Sequence, residues 1–161
     1  MSHRSFPPLP PEVVTFAESG LSLLVGTRDE DLIPDSVRAV GIKIWPGSSQ
    51  LTVYLPAATS ARAVANARAT RQIAVTLSYP PTHRTIQIKG TVREVREAGA
   101  DDRPVIEEYI GAFAEVLCSV GLSRQLTRRI TRWPALAVDV EMVEVFAQTP
   151  GPGAGDRMSS S

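Results

Sequence analysis

The chain has little of what several functional classes require. Cys118 is its one cysteine, which excludes an intrachain disulfide and gives no sign of an oxidising compartment. Two histidines and one cysteine are too few for a credible zinc site. Seventeen basic residues balance seventeen acidic ones, so no overall field would recruit nucleic acid or a membrane surface. No apolar run approaches the roughly 20 residues that cross a bilayer.

What remains is the composition of an ordinary globular protein, 43% hydrophobic and 21% charged. We expect one domain over residues 1–149, followed by a Gly/Pro/Ser-rich tail over residues 150–161 whose composition predicts mostly disorder. A tight turn built from the glycines and prolines of QTPGPGAG is the alternative. The proline-rich start lacks the apolar stretch of a signal peptide. The sequence therefore predicts a cytoplasmic domain that binds neither nucleic acid nor a membrane.

Hydrophobic periodicity predicts six strands of mostly antiparallel pattern, which indicates an α+β protein built on a β-barrel. The strands are expected at residues 21–27, 36–45, 50–55, 72–79, 84–95 and 135–148. Leu21–Thr27 is continuously apolar, so we expect it to be buried on both faces. The apolar phase of the last strand slips at Met142–Val143, which predicts a bulge.

Four helices are predicted around these strands. Their expected bounds are residues 11–20, 59–70, 101–121 and 123–133. Thr59 or Ser60 is the expected N-cap of the second helix, and Asp101 or Asp102 that of the third. The fourth helix is rich in arginine. Because it lacks interleaved aromatic residues, it indicates a solvated or dimer-facing surface rather than a nucleic-acid patch.

The start of the second helix is a candidate site for a bound phosphate. A helix N-terminus carries partial positive charge and unpaired N–H groups. Thr59 and Ser60 would add hydroxyl groups there, and Arg62 would add a full charge. An arginine in the first turn works against the helix dipole, and a bound anion would relieve that arrangement. The alternative is a capped helix with a solvated arginine.

Two further cations, Arg38 and Lys43, lie on the predicted second strand. They are five residues apart, so a regular strand would place them on opposite faces. Both reach one ligand only if a bulge or a strand end lies between them, and Gly41 is a candidate for that break. Otherwise one of the two is a surface cation.

Thr85, Gln87 and Lys89 share one face of the predicted fifth strand. Gln87 offers the amide donor and acceptor that the edge of an isoalloxazine ring requires. A polar stripe on a barrel strand is equally typical of a solvent-facing surface. The sequence does not decide between the two interpretations.

Four segments together carry a family pattern. They are Arg38-Ala-Val-Gly-Ile-Lys43, Val53-Tyr54-Leu55 followed by Ser60-Ala61-Arg62, Arg84-Thr85-Ile86-Gln87-Ile88-Lys89-Gly90, and QTPGPGAG at Gln148–Gly155. With them the chain resembles the pyridoxamine 5′-phosphate oxidase-like family, the FMN-binding split barrels. The resemblance covers residues 21–95 and the closing strand.

The resemblance implies a cofactor, a set of contacts and an assembly. FMN is the implied cofactor, bound at the subunit interface of a homodimer. Phosphate contacts are implied from Lys43, Ser60 and Arg62. Ring and ribityl contacts are implied from Arg38, Val40, Tyr54, Leu55 and Thr85 or Gln87.

Two departures limit what the resemblance implies about the reaction. Ala61 precedes Arg62 where the true oxidase has two adjacent cations, and its substrate-binding Arg and His motif has no counterpart in VEVFAQTPGPG. We therefore expect a flavoprotein oxidoreductase acting on an unidentified small molecule, with no catalytic residue assigned. The alternatives are a non-catalytic flavin-binding or ligand-sensing dimer, the same barrel with F420 or haem, and a dimer that binds nothing.

Overall fold

A computed structural model describes residues 4–159 of the chain. Within that range, seven antiparallel strands form one sheet in the order β2-β1-β5-β6-β7-β4-β3, and four helices flank it. The elements are α1 (Pro11–Ala17), β1 (Ser22–Arg28), β2 (Pro34–Arg38), β3 (Gly41–Ile44), β4 (Gln50–Pro56), α2 (Ala61–Thr70), β5 (Gln72–Tyr79), β6 (Arg84–Glu97), α3 (Arg103–Ser119), α4 (Arg124–Arg128) and β7 (Ala135–Ala147). The expected α+β barrel is confirmed.

The sheet closes on itself at Ala39 and Val40, between β2 and β3. The predicted strand at residues 36–45 is therefore two strands on opposite edges of the sheet, because β2 pairs with β1 and β3 pairs with β4. The N–H of Ala39 donates to the Leu23 carbonyl at 3.0 Å, and the N–H of Val40 donates to the Tyr54 carbonyl at 2.8 Å. Two adjacent residues thus hold both edges, which corrects the single-strand prediction.

Apolar side chains on alternate positions of the strands fill the barrel. On β1, Leu23 and Val25 are fully buried, whereas Leu24 points outward and is 41% exposed. The prediction that this strand is buried on both faces is therefore wrong for the single chain. Ala63 and Val64 of α2 are also buried and join the same core.

The bulge predicted at Met142–Val143 is confirmed. Met142 pairs with Gly90 and Glu144 pairs with Lys89, so Val143 is the extra residue of β7. A Cβ on Gly90 would lie 2.5 Å from a backbone carbonyl oxygen of β7. Glycine at this position therefore lets the two strands approach each other at the bulge.

Helix α3 packs across the closure of the barrel. Its buried side chains are Ile106, Tyr109, Ile110 and Phe113. The Tyr109 hydroxyl donates to the Leu21 carbonyl at 2.7 Å. Gly20 lies directly against the helix backbone, because a Cβ there would be 2.5 Å from the carbonyl carbon of Ala112. The helix is thus tied to the start of β1.

The fourth helix is shorter than predicted, since α4 ends at Arg128 rather than near residue 133. Ile130 and Thr131 are β-branched, and the residue before Pro134 is disfavoured in a helix. Ile130 also packs against the core, which holds the chain in a non-helical path. Within residues 4–159, no helix combines the length and the apolar character needed to cross a membrane.

The C-terminal tail folds back onto β7. Phe146 and Arg157 form an antiparallel bridge, and the N–H of Met158 donates to the Val145 carbonyl at 2.8 Å. The tail's glycines supply positive φ values of 94° and 141° where the chain turns. The disorder predicted from composition is therefore wrong for residues 150–159, because backbone pairing orders a segment that has few side chains to bury.

Candidate functional site

A connected group of polar side chains lies on the outer face of β4, β6 and β7, beside α3. We name it the Arg96 network, and its members are Thr52, Tyr54, Arg96, Asp102 and Asp139. The Arg96 guanidinium donates to Asp102 at 2.7 Å and to Asp139 at 3.3 Å. The Thr52 hydroxyl donates to Asp139 at 2.6 Å, and the Tyr54 hydroxyl donates to Asp102 at 2.8 Å. The network joins three strands to the loop that precedes α3.

The strand register creates this network. Thr52 pairs with Asp139 between β4 and β7, and the next outward position, Tyr54, is level with Arg96 of β6. Asp102 then covers these groups from the loop before α3. It was expected to cap α3, but its carboxylate accepts from Arg96, from Tyr54 and from the N–H of Gly99 instead.

Electrostatics fix the protonation states within the network. The hydrogen bond from Arg96, with help from the Gly99 N–H and the Tyr54 hydroxyl, lowers the pKa of Asp102 from 3.8 to about 2. Burial, and then the neighbouring Asp102 carboxylate, raise the pKa of Tyr54 above its ordinary value. Neither group exchanges a proton near neutral pH, so the network positions β4, β6 and α3 rather than supplying an acid or a base.

The lowered pKa of Asp102 predicts a loss of stability in acid. Folding favours the carboxylate, so its stabilising contribution is complete above about pH 4 and is lost as the pH falls through the folded pKa of about 2. Asp102→Asn should lower the free energy of unfolding at neutral pH by about 1–2 kcal/mol. Between about pH 4 and pH 2, the free energy of unfolding of this variant should change less with pH than that of the parent. Urea unfolding across a pH series measures both effects.

The exposed neighbour Asp101 provides the matched control. Asp101→Asn should keep the parent's pH dependence. An Asp102→Asn variant whose stability falls in acid as steeply as that of Asp101→Asn would show that the Arg96 network does not hold the carboxylate.

Helix α2 begins without a side-chain cap. Ser60 occupies the N-cap position, but its buried hydroxyl donates to the Pro56 carbonyl at 2.6 Å. The N–H groups of the first turn therefore lack a side-chain partner and keep the partial positive charge of the helix end. Arg62 is exposed in the same turn and faces the Asp29 carboxylate at 4.0 Å, a loose ion pair. This helix start has the donors that a phosphate requires.

Arg38 and Lys43 are separated by the break between β2 and β3. The Lys43 ammonium lies 4.1 Å from the centroid of the Trp45 ring. The Arg38 guanidinium lies 3.4 Å from the Ser22 hydroxyl and 5.6 Å from the centroid of the Phe113 ring. Within residues 4–159, no carboxylate forms an ion pair with either cation. Both remain available to an anion, at two different places.

Three of the predicted cofactor contacts are core residues. Val40, Tyr54 and Leu55 are each 1% exposed or less. The Tyr54 ring also packs close to Gly41, where a Cβ would be 3.1 Å from its Cδ2. These side chains do not face solvent, so a contact from Val40 or Leu55 to a ligand has to come from the backbone.

Thr85 and Gln87 lie in the other half of β6. The Gln87 amide donates to the Thr76 hydroxyl at 3.3 Å on the outer face. Lys43 pairs with Thr52 on β4, Thr52 pairs with Asp139 on β7, and Asp139 pairs with Glu94 on β6. Glu94 lies seven residues beyond Gln87 on the same strand, which is a distance of roughly 20 Å at the rise of a β-strand. One copy of the chain therefore does not bring Gln87 and Lys43 together.

Within residues 4–159, two of the open grooves are lined mainly by outward residues of the strands. One, of about 440 Å³, is lined by Gly26, Ala74, Lys89 and Glu144 among others. The other, of about 330 Å³, lies between Trp45 and the β6–β7 pair, with both acidic and basic residues in its wall. The second groove lies close to Lys43, because the Lys43 ammonium rests on the Trp45 ring.

No family model matches the sequence, and no curated protein matches it. Solved structures do match its fold. A candidate pyridoxamine 5′-phosphate oxidase from Lactobacillus delbrueckii has a TM-score of 0.56 at 18% identity, with 87% of this chain and 94% of that chain covered. A pyridoxamine 5′-phosphate oxidase-related, FMN binding protein from Nostoc punctiforme has a TM-score of 0.50 at 9% identity, with 94% and 98% covered. The chain has the fold of the pyridoxamine 5′-phosphate oxidase-like split barrels.

An F420 reductase is a third solved structure with this split-barrel fold, with a TM-score of 0.54 at 16% identity and with 85% of this chain and 98% of that chain covered. The expected split-barrel fold is therefore confirmed. At these identities the likeness establishes the architecture alone, so the roles of individual residues have to be argued from the geometry of this chain.

Proposed function

We propose that this split barrel is an FMN-binding protein that acts as a homodimeric oxidoreductase on a small molecule. The observation that carries the proposal is the uncapped start of α2 with Arg62 exposed in its first turn. Solved proteins of the same fold include an FMN binding protein and an F420 reductase, both of which point to a flavin-type ligand.

A phosphate group suits the available donors. The N–H groups of the α2 first turn and the Arg62 guanidinium would donate hydrogen bonds to a phosphate dianion, and Lys43 would add a second full charge. Ser60 would contribute its backbone N–H rather than its hydroxyl, because that hydroxyl is already bonded to the Pro56 carbonyl. These donors support the proposal that the phosphate end of FMN binds at the start of α2.

The isoalloxazine end of FMN would need contacts from a second copy of the chain. Thr85 and Gln87 would contact the cofactor held by the partner, since they lie roughly 20 Å along β6 from the level of Lys43. Leu24 supports this arrangement, because it is an apolar residue exposed on the same outer face as Gln87. Leu24 pairs with Thr76 on β5, and Thr76 pairs with Gln87 on β6. A two-fold dimer through this face would cover Leu24 and complete two identical sites.

Bound FMN would supply the redox chemistry, while the chain would supply binding, orientation and exclusion of water. The cations at α2 and β3 would fix the phosphate end. Tyr54 and Asp102 would contribute indirectly, by holding β4 and α3 in place through the Arg96 network. We assign no acid or base, because the pKa values of these two groups are displaced away from neutrality.

Flavin retention tests the proposal. The purified protein would be mixed with FMN, desalted, and followed by sedimentation at a visible flavin wavelength. We expect flavin absorbance to move with a particle of twice the 17.4 kDa chain mass. If all the flavin sediments free of the protein, the proposal is wrong. If the flavin sediments with a 17.4 kDa particle, one chain binds it and the proposed site between two copies is wrong.

F420 is the second candidate ligand, favoured by the match to an F420 reductase. The same experiment with F420 in place of FMN separates the two, because the deazaflavin has a different absorption spectrum. Retained FMN that neither NADH nor NADPH reduces would favour a non-catalytic flavin-binding dimer instead of an oxidoreductase.

A further inference from the structure

The turn between β1 and β2 presents apolar side chains to solvent in a fixed conformation. We call residues 29–33 the Leu32 loop. Leu32 is 67% exposed and Ile33 is 49% exposed. The Asp29 carboxylate accepts from the N–H groups of Asp31 at 3.0 Å and Ile33 at 2.8 Å, which closes the turn.

Leu32 has an unfavourable backbone conformation in this loop. Its φ of 66° lies in the left-handed region, which the Cβ of a leucine disfavours. A leucine that is strained and two-thirds exposed gains little from packing within its own chain. The loop also carries two exposed acids, Glu30 and Asp31, and within residues 4–159 neither forms an ion pair. The tip is therefore apolar with an acidic border.

A surface of the opposite charge lies where α3 ends and α4 begins. We call it the Leu126 patch, and its apolar members are Val120, Leu122 and Leu126, which are 43%, 45% and 49% exposed. Arg128 and Arg129 are exposed close to Leu126 in sequence, and within the described part of the chain no carboxylate pairs with them.

Two neighbouring arginines, in contrast, do form ion pairs. Arg124 is paired with Glu115 at 2.6 Å, and Arg132 is paired with Glu107 at 3.0 Å. Within residues 4–159, the unpaired positive charge of the Leu126 patch is therefore on Arg128 and Arg129, which follow the exposed Leu126 by two and three residues.

We propose that the Leu32 loop of one copy docks on the Leu126 patch of a second copy. The apolar tip would cover the three apolar side chains, and Glu30 and Asp31 would meet Arg128 and Arg129. Every chain carries both halves, so a two-fold arrangement forms the contact twice and a head-to-tail one forms a chain of copies. The side chains that would dock are Glu30, Asp31, Leu32, Arg128, Arg129 and the apolar residues of the Leu126 patch. None of them is a proposed flavin contact, so this interface goes beyond the proposed function.

Self-association through this contact is sensitive to salt, because the charges are exposed and screening shortens the Debye length from about 10 Å at 0.1 M to about 3 Å at 1 M. At low salt, light scattering over a series of protein concentrations should give an average mass that rises with concentration above the mass of the flavin-binding dimer. A parent protein whose mass is the same at all concentrations and at both salt levels would overturn the proposal.

Leu32→Asn separates association from folding. Asparagine tolerates the left-handed conformation and removes the apolar tip, so the unfolding temperature should be unchanged or higher. We expect self-association to weaken by about tenfold or more. An undiminished association constant in this variant would rule out the loop as the docking element.

Charge exchange tests the pairing itself. The variants Arg128→Glu/Arg129→Glu and Glu30→Arg/Asp31→Arg should each associate poorly alone, since each then carries a loop and a patch of the same sign. Mixing the two variants should restore association, because each loop then meets a patch of opposite sign. Arg68→Glu, at an exposed arginine of α2, is the matched control and should associate like the parent. Weakened association that mixing does not restore would show that the loop acids and the patch arginines do not meet each other, and would overturn the proposal.

Discussion

Gly20→Ala is expected to lower the free energy of unfolding by about 3 kcal/mol or more. Gly20 has a φ of 78°, a conformation that costs an L-residue about 1–2 kcal/mol. Its new Cβ would also lie 2.5 Å from the carbonyl carbon of Ala112 and 2.7 Å from the nitrogen of Phe113. These atoms are helix backbone, so α3 itself would have to move. Urea unfolding of the variant measures the loss.

Gly111→Ala is the matched control, because it makes the same substitution inside α3 itself. A Cβ on Gly111 meets nothing within 4 Å, and alanine is the better helix former by about 1 kcal/mol. This variant should be as stable as the parent or more so. A Gly20→Ala protein of parental stability would mean that α3 does not lie against the start of β1.

Removing both proposed phosphate cations should weaken FMN binding by about 100-fold or more. Hydrogen bonds to charged groups contribute about 1.5–3 kcal/mol each, and a loss of about 2.7 kcal/mol corresponds to that factor. Lys43→Ala/Arg62→Ala should leave the fold nearly as stable as before, because Lys43 rests on the Trp45 ring and Arg62 has only a loose pair with Asp29. Quenching of flavin fluorescence on titration gives the dissociation constant.

Riboflavin distinguishes a phosphate contact from a general loss of the pocket. It lacks the phosphate, so its affinity should be nearly equal in the parent and in Lys43→Ala/Arg62→Ala. Arg68→Ala removes an exposed arginine from the last turn of the same helix and should bind FMN like the parent. Equal FMN affinity in the double variant and the parent would place the phosphate away from Lys43 and Arg62.

Periodicity predicted much of the fold because alternate burial leaves a local pattern. The bulge is an example, since the apolar phase of the last strand changes at the residue that the structure leaves unpaired, Val143. The closure left a weaker signal. Val37 and Ile42 are both buried although they are five residues apart, so the apolar phase changes here too, but a phase change alone does not show that they belong to opposite edges of the sheet.

The Arg96 network was missed for a similar reason. Thr52, Arg96, Asp102 and Asp139 come from three strands and a loop, and only the strand register brings them together. The site residues divide in the same way. The sequence was enough to predict a helix start at Ser60 with a cation at Arg62, but not that the Ser60 hydroxyl is turned inward.

The closure at Ala39–Val40 also bears on how the chain folds as it is synthesised. The pairs β1–β2 and β3–β4 form between neighbours in sequence, whereas Thr52 and Asp139 on β4 and β7 are 87 residues apart. Until β7 emerges from the ribosome, β4 and β6 each have one open edge, and open edges invite pairing with other chains. The barrel is completed only by its final strand, so a nascent chain halted before residue 135 can form the β1–β2, β3–β4 and β5–β6 hairpins but no barrel.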